Sequence, residues 1–327
     1  MARTMRARPQ SWKLKEPFAI TRGVRSEART VVVELHQDGV FGFGEAGGVA
    51  YHGETPESML AQIEQVRLQV ENGCDRHALQ RLLPAGGARH ALDAALWDLE
   101  AKLSGVPAWQ RAGAARWEPV ASAVTIGIRG LDAYAAAARN YARHPWIKVK
   151  VGRDAPLEAV AAVRREAPDA HLIVDANQAW SVEELLAYAS PLHDLRVDLI
   201  EQPVAVGPDQ GLAGYAGAVP ICADESLSTL DDLPGLVGRY QFVNIKLDKV
   251  GGLTAGLELA AAARAAGFRL MVGCMLGGSV SVAPGMVLAQ QCDVCDLDAP
   301  WLQAEDWPHG IAFHEGRMSP PVPELWG

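Results

Sequence analysis

The sequence is poor in cysteine, in long apolar runs and in positive charge, and these shortages exclude several classes of protein. Its five cysteines are an odd number without the dense spacing of a disulfide-rich secreted domain, so we expect them to be reduced. No apolar run approaches the length of a membrane-spanning helix, and the basic start MARTMRARPQSWKLK is not followed by the apolar stretch of a signal peptide. We therefore expect a cytoplasmic protein.

The charge balance narrows the choice of partner. The chain carries 30 basic and 39 acidic side chains, a formal net charge of −9, which argues against binding to nucleic acid or to an anionic membrane. Its 327 residues, 49% of them hydrophobic, can build one large barrel or two ordinary domains with a sizeable core. We expect a small-molecule partner, and the composition leaves open whether the chain forms a homo-oligomer.

From about Val120 onward, short β-branched runs alternate with Ala-rich segments that have helical spacing, a pattern typical of parallel βα units. Eight such runs can be read, and their ends fall roughly 22 to 27 residues apart, close to what a compact barrel needs. The pattern predicts an α/β fold, a modified (β/α)₈ barrel of the TIM type over residues 118–300. A doubly wound open sheet is the competing architecture.

The first part of the chain follows another pattern. PFAITRG and ARTVVVELHQDGVFGFGEA indicate a hairpin-rich sheet, and ARHALDAALWDLEAKLSG indicates a helix. We predict a separate N-terminal α+β domain over residues 1–117. The tail, residues 301–327, lacks the barrel periodicity and is expected to pack back on that domain.

Charged residues mark the predicted strand ends, which in a parallel barrel meet at one mouth and carry the functional groups. In strand order they are Lys148 and Lys150, Asp175, Glu201, Asp224, Lys246, and Asp296 with Asp298. Three carboxylates from neighbouring strands, those of Asp175, Glu201 and Asp224, make an oxygen-rich site suited to Mg²⁺. Each could instead cap a turn or helix, but three in consecutive units favour a metal site.

The lysines suggest proton transfer. Lys148 and Lys150 are two apart on a strand and point to the same face, where a neighbouring ammonium and partial desolvation would lower a lysine pKa. Lys246, four strands across, would approach a substrate from the opposite side, as in a racemase or epimerase. Each lysine could instead form a salt bridge, a role that suits Lys148 best. Lys249 is a weaker candidate, because it should have left the strand for the turn that follows.

The motifs IKVKVG, IVDANQAW, IEQP, ICADES and VNIKLDKVGGLT resemble, in order, the muconate-lactonizing subgroup of the enolase superfamily, and ALDAALWDLEAKLSGVP resembles its cap helix. The resemblance implies a capping domain on the barrel and one Mg²⁺ on the three carboxylates. It also implies that Lys150 and Lys246 form the acid/base pair and that Lys148 tunes Lys150 and helps to hold a substrate carboxylate. Asn177 would support the metal site, although Asn also shapes turns.

Two further stretches resemble dipeptide epimerases of that subgroup. DLDAP, with Asp296 and Asp298, is similar to the element that holds a dipeptide's ammonium group. ITRGVRSEA, with Arg22 and Arg25, is similar to the mobile loop of L-Ala-D/L-Glu epimerases, and an arginine there could clamp an acidic side chain. The resemblance thus implies a Mg²⁺-dependent epimerase that acts on a dipeptide.

Other interpretations remain open. The same subgroup includes o-succinylbenzoate synthase and muconate cycloisomerase, whose substrates lack an ammonium group. A Schiff-base aldolase could use Lys150 or Lys246, and a barrel could bind metal without turnover. The Gly277-Gly278-Ser279 segment has no firm match in the family pattern. It could cradle a phosphate, but loop flexibility is the simpler explanation.

Overall fold

The computed structural model describes residues 3–20 and 23–327, so the predicted clamp residue Arg22 lies outside the described residues. The N-terminal part begins with an antiparallel sheet in the order β1-β2-β3. Its strands are β1 (Thr4–Ile20), β2 (Gly23–Gln37) and β3 (Val40–Ala46). Asp38 and Gly39 both have positive φ, so a tight two-residue turn joins β2 to β3.

The helices of this part pack on one face of the sheet. They are α1 (Pro56–Gln65), α2 (Arg67–Glu71), α3 (Arg76–Leu82), α4 (Gly87–Ser104) and α5 (Ala108–Arg111). The helix α4 is buried along most of its length, because the sheet covers one side and the C-terminal part covers another. A Cβ at Gly44 of β3 would overlap the Ala91 carbonyl oxygen, so glycine allows this close approach of helix and strand.

The C-terminal part begins with the short strand β4 (Val120–Ala121). It contains an eight-stranded parallel sheet whose strands lie side by side in the order of the sequence. Its strands are β5 (Val124–Ile126), β6 (Trp146–Lys150), β7 (His171–Asp175), β8 (Val197–Glu201), β9 (Ile221–Ala223), β10 (Phe242–Lys246), β11 (Arg269–Gly273) and β12 (Val294–Asp296). A hydrogen bond of 2.8 Å from Ala123 N to Cys295 O joins the two ends. The predicted barrel is confirmed, and the order has none of the reversal that a doubly wound sheet requires.

The helices between these strands are uneven in length. They are α6 (Leu131–Asn140), α7 (Pro156–Glu166), α8 (Val182–Asp194), α9 (Leu233–Leu236), α10 (Leu247–Val250), α11 (Leu253–Ala265) and α12 (Ser279–Ala289). The 3₁₀ turns are Ala50–His52, Pro208–Leu212, Leu230–Asp232 and Ala299–Leu302. A 3₁₀ turn alone connects β8 to β9, which makes the barrel a modified one. No helix of the described residues is long and apolar enough to cross a bilayer.

The C-terminal tail contacts both parts. Its strands β13 (Phe313–His314) and β14 (Arg317–Met318) form a small sheet with β4. Further on, Trp326 Nε1 donates to Ala94 O of α4 at 3.1 Å, and Gly327 N donates to Asp98 at 2.7 Å. The tail therefore returns to the N-terminal part by way of the barrel. The exact boundaries at residues 117 and 300 stay predictions.

Candidate active site

A cavity of about 400 Å³ lies between the N-terminal sheet and the mouth of the barrel. Most of the residues singled out in the sequence line it, namely Lys148, Lys150, Asn177, Lys246, Asp296, Asp298 and Arg25. Asp175, Glu201 and Asp224 are almost completely buried and contact the lysines of that group. The structure thus brings together every predicted site residue that it describes.

Strand register explains this convergence. Lys150 of β6 pairs with Asp175 of β7, which in turn pairs with Glu201 of β8. On the far side, Lys246 of β10 pairs with Gly273, and Gly273 pairs with Asp296 of β12. Because parallel strands end level with one another, last residues far apart in sequence share one mouth.

Lys148 occupies the centre of the carboxylates. Its Nζ lies 3.0 Å from Asp175 Oδ2, 2.7 Å from Glu201 Oε2 and 2.7 Å from Asp296 Oδ2. Burial acts to lower the pKa of Lys148, but the charges of Asp296, Glu201 and Asp175 outweigh it and raise the pKa well above its usual value. The lowering suggested by the neighbouring Lys150 is therefore not found for Lys148, and its ion pairs agree with the salt-bridge role that the sequence favoured for this lysine.

Lys150 contacts two residues of the neighbouring strand end. Its Nζ donates to Asp175 Oδ2 at 2.6 Å and to Asn177 Oδ1 at 2.9 Å. Asn177 has positive φ, and its backbone N–H donates to Asp175 Oδ1 at 2.9 Å. Asn177 therefore shapes the turn after β7 and also holds the side chains of Asp175 and Lys150 in place.

Lys246 faces Asp224 across the mouth, with its Nζ 2.8 Å from Asp224 Oδ2. Burial acts to lower the pKa of Lys246, but Asp224 and Glu201 raise it well above its usual value. Lys249 reaches the same carboxylate at 2.7 Å, because α10 starts directly after Lys246 and turns its third residue back toward the mouth. Lys249 has left the strand, as the sequence predicted, and it does not line the cavity, but it contacts the carboxylate of Asp224.

Two polar residues of the site were missed in the sequence. Asn244 Nδ2 donates to Glu201 Oε1 at 2.9 Å, and Gln202 Oε1 accepts from Asp224 N at 2.8 Å. Gln202 also has positive φ, an uncommon conformation for this residue type. Asn244 had a readable signal, since it lies two residues before Lys246 and so shares its face of β10. Gln202 had none beyond its place after Glu201.

Asp296 and Asp298 form the third side of the cavity. Asp296 Oδ2 accepts from Lys148, whereas Asp296 Oδ1 is buried with no hydrogen-bond partner in the described part of the chain. Asp298 Oδ2 accepts from Thr125 N at 2.7 Å. Burial and the charge of Asp296 raise the pKa of Asp298 to about 7. A cation brought into this corner would relieve that electrostatic cost.

The three carboxylates predicted to hold a metal offer the hard oxygen donors that Mg²⁺ prefers. Burial and the charge of Asp175 raise the pKa of Glu201 to about 7, and Glu201 Oε2 has an ion pair with Lys148 but no well-aligned hydrogen bond from residues 3–20 or 23–327. Within the same residues no three acidic, cysteine or histidine groups are gathered as a ready-made metal centre, because Lys148 lies between the carboxylates. The donor chemistry fits a divalent cation that would take over part of this lysine's role.

The N-terminal sheet contributes the opposite wall. Phe18, Val24 and Arg25 of the β1–β2 hairpin line the cavity, as does Arg29 of β2. Arg29 also forms an ion pair of 2.7 Å with Glu57. Arg25 thus lies where a clamp would be needed, and Arg29 is a second basic group that the sequence did not single out.

Comparison with known proteins places this architecture in a family. The model of the mandelate racemase/muconate lactonizing enzyme N-terminal domain matches residues 2–113, and that of the enolase C-terminal domain-like family matches residues 131–323. The L-Ala-D/L-Glu epimerase of Escherichia coli K12 is 43% identical over 97% of this chain and 99% of that protein. An N-acetyl-D-glutamate racemase of a Pseudoalteromonas species is 37% identical over 91% of this chain and 95% of that protein.

Solved structures agree with this assignment. An enolase family member from Agrobacterium tumefaciens with homology to dipeptide epimerases, with bound sodium, L-Ala-L-Glu and an ordered loop, superposes with a TM-score of 0.97. The two sequences are 40% identical, and the match covers 99% of this chain and 100% of the Agrobacterium tumefaciens chain. A dipeptide epimerase from Methylococcus capsulatus complexed with Mg and L-Arg-D-Lys gives a TM-score of 0.90 at 30% identity, over 98% and 97% of the two chains.

The relatives are epimerases and racemases, which are isomerases, and they match this chain over nearly its whole length. The two family models divide between them the N-terminal sheet with its helices and the barrel with its tail. The chain is therefore an isomerase that belongs to the mandelate racemase/muconate lactonizing enzyme family of the enolase superfamily.

Proposed function

We propose that the chain is a Mg²⁺-dependent dipeptide epimerase that acts on L-Ala-D/L-Glu. The observation that carries the proposal is the placement of two lysines on one cavity. Lys150 ends β6 and Lys246 ends β10, four strands apart in an eight-stranded barrel, and both line the same space. Two lysine side chains on opposite walls can remove a proton from one face of a carbon atom and return a proton to the other face.

In the proposed reaction Lys150 starts as a neutral amine and takes up the α-proton of the second residue, and the carbon–hydrogen electron pair moves into an enolate. Lys246 then gives a proton to the opposite face, which inverts the configuration, and the reverse reaction exchanges the two roles. In the forward direction Lys246 must start protonated, in agreement with its raised pKa. Lys148, fixed among carboxylates, supplies positive charge beside the substrate carboxylate.

Asp175, Glu201 and Asp224 would hold the metal. When bound, Mg²⁺ would stabilise the negative charge that develops on the substrate carboxylate as the proton leaves. Asn177 and Asn244 support this site through their hydrogen bonds to Asp175 and Glu201. The magnesium-bound dipeptide epimerase from Methylococcus capsulatus supports the choice of metal.

The two ends of the cavity would select the substrate. Asp296 and Asp298 would hold the ammonium group of the first residue, and Arg25 would pair with the side-chain carboxylate of the second. The bound L-Ala-L-Glu of the Agrobacterium tumefaciens structure supports a dipeptide of this kind. The named relatives favour proton transfer at one carbon over the cycloisomerase, synthase and aldolase alternatives.

The second candidate function is racemisation of N-acetylglutamate, which the Pseudoalteromonas relative favours. N-Acetylglutamate corresponds to Ala-Glu with hydrogen in place of both the ammonium group and the methyl group of the first residue, so it offers no cation to Asp296 and Asp298. Both carboxylates line the cavity of this chain. Asp296 pairs with Lys148, but Asp298 is buried beside the charge of Asp296, and an incoming ammonium group would relieve that cost, which favours the dipeptide.

Incubation in D₂O with L-Ala-L-Glu and, in parallel, with N-acetyl-L-glutamate separates the two candidates. Mass spectrometry would detect the deuteron that each epimerised molecule gains. We expect the dipeptide to be the better substrate by kcat/KM. A higher kcat/KM on N-acetyl-L-glutamate would replace the proposed substrate, and no exchange on either compound would reject both.

A further inference from the structure

The buried carboxylate of Glu45 lies outside the mouth of the barrel and has no part in the proposed reaction. Glu45, on β3, is completely buried and accepts four hydrogen bonds from four separate segments of the chain. Oε1 accepts from Trp12 Nε1 at 2.6 Å, from Thr30 Oγ1 at 2.9 Å and from Gly278 N at 3.1 Å. Oε2 accepts from Trp307 Nε1 at 2.7 Å.

These donors come from all the main parts of the molecule. Trp12 and Thr30 belong to strands β1 and β2, Gly278 directly precedes α12 of the barrel, and Trp307 lies in the C-terminal tail. A Cβ at Gly278 would lie 2.7 Å from Trp307 Cδ1 and 2.8 Å from Glu45 Oε2, so the turn needs glycine. The Gly277-Gly278-Ser279 segment therefore joins the barrel to the N-terminal sheet, and a phosphate cradle is not required to explain it.

Three of the segments that meet at Glu45, those of Thr30, Gly278 and Glu45 itself, also form part of the cavity wall. Arg29 directly precedes Thr30, Gly47 follows Glu45 by two residues, and Leu276 precedes Gly278 by two residues. All three of these neighbours line the cavity. A Cβ at Gly47 would lie 2.5 Å from Leu276 O, so the two walls are in direct contact above the carboxylate.

We propose that Glu45 is a positioning residue that fixes the wall of the N-terminal sheet against the Gly277-Gly278 turn and thereby sets the space for substrate. This inference rests on the proposed function only for the identity of the substrate. Glu45 touches no reacting atom, so its loss should weaken substrate binding more than the proton transfers at Lys150 and Lys246.

The donor pattern makes glutamine an informative substitution. Backbone and indole N–H groups can only donate, so both carboxylate oxygens must act as acceptors. In Glu45→Gln the amide oxygen should take the Oε1 position, which has three donors, and the amide nitrogen should then face Trp307 Nε1. One hydrogen bond is lost and two donors meet, so the variant should fold with a single local defect.

The test has a spectroscopic part that needs no substrate. Trp12 and Trp307 should give indole N–H signals shifted by their bonds to a carboxylate, and Trp12→Phe and Trp307→Phe assign them. In Glu45→Gln we expect the Trp307 signal to move and the Trp12 signal to stay. Amide hydrogen exchange should also rise in residues 24–30 and 274–278.

The kinetic part separates positioning from general destabilisation. Glu45→Gln should raise KM for L-Ala-L-Glu by roughly tenfold, the equivalent of one lost buried hydrogen bond, with kcat changed by less than about twofold. Asp98→Asn is the matched control, because Asp98 is a buried carboxylate that accepts hydrogen bonds from Phe43 N of β3 and Gly327 N of the tail, neither of which lines the cavity. It should leave KM and the exchange of residues 24–30 unchanged.

The results that would reject the positioning role of Glu45 differ from those that would reject the proposed function. An unchanged exchange pattern in Glu45→Gln, or an equal rise of KM in Asp98→Asn, would overturn the positioning role. Exchange that rises as expected in a protein that epimerises no dipeptide would support the role of Glu45 while rejecting the substrate.

Discussion

The two walls of the cavity are built in different ways. The barrel wall is dominated by charged side chains at strand ends, most of which form ion pairs with residues of other strands. The opposite wall consists of glycine, apolar residues and the side chains of Arg25 and Arg29, carried by a hairpin whose base is tied down at Glu45. Under the proposed function the barrel carries the proton transfer, the metal and the ammonium site, and the N-terminal sheet recognises the side chain of the second residue. Changes on the two sides should therefore have separable effects.

Removal of the metal should have the largest effect, and it acts on the barrel wall alone. EDTA should abolish turnover and Mg²⁺ should restore it, because the three carboxylates then lose the cation that stabilises the developing charge. Excess Mg²⁺ should also raise the melting temperature of the metal-free protein, since a ligand of the native state stabilises it. Glu201→Gln serves as the control and should blunt that rise. Full activity after chelation would remove the metal from the account.

Loss of Lys150 or Lys246 should have the next largest effect on activity. Lys150→Ala and Lys246→Ala should each reduce epimerisation by at least roughly 10²–10⁴-fold, the contribution typical of a positioned acid or base. The same variants should leave KM much less affected, because the lysines act on the transferred proton. Near-normal kcat in either variant would show that another group, with Lys249 as the first candidate, can replace it.

Neutralising the aspartate pair should have a smaller effect that depends on the substrate. Asp298→Asn keeps an acceptor for Thr125 N but loses the charge, so kcat/KM for L-Ala-L-Glu should fall roughly ten- to a hundredfold. The value for N-acetyl-L-glutamate should hardly change. Asp296→Asn is the less clean variant, because it also breaks the ion pair with Lys148. Equal losses on both compounds would argue against an ammonium site.

Substitution on the hairpin should have the smallest and most selective effect. Arg25→Ala should lower kcat/KM by roughly tenfold for dipeptides with an acidic second residue and spare those with an apolar one. Arg29→Ala is the matched comparison, since Arg29 lines the same wall but is engaged by Glu57. A uniform loss across both classes of dipeptide would reject the clamp role of Arg25.

The same contrast explains how far sequence reasoning could reach. In a parallel barrel the topology alone brings strand ends to one mouth, so the convergence of Asp175, Glu201 and Asp224 followed from where each run of apolar residues ends. The hydrophobic pattern likewise predicted the eight strands. No knowledge of side-chain contacts was needed for either result.

Other features depend on contacts between distant segments, and the sequence does not show these. The pair of Lys148 and Lys150 on one strand suggested a lowered lysine pKa, but the charges of Asp296, Glu201 and Asp175, on three other strands, raise the pKa of Lys148. Nothing in the sequence distinguishes Glu45 from other residues of a hairpin, because its four hydrogen-bond donors come from segments that are far apart in the chain. Arg29 was missed for the same reason, because its place on the cavity depends on how the hairpin docks.

The central claim is that Lys150 and Lys246 serve opposite faces of one α-carbon, and deuterium exchange by the two alanine variants tests it most directly. Each variant, incubated in D₂O with the L,L and the L,D epimer separately, should exchange only the epimer whose α-proton faces the surviving lysine. Mass spectrometry should thus find that Lys150→Ala and Lys246→Ala label opposite epimers. If both variants labelled the same epimer, the assignment of the two lysines to opposite faces would be contradicted.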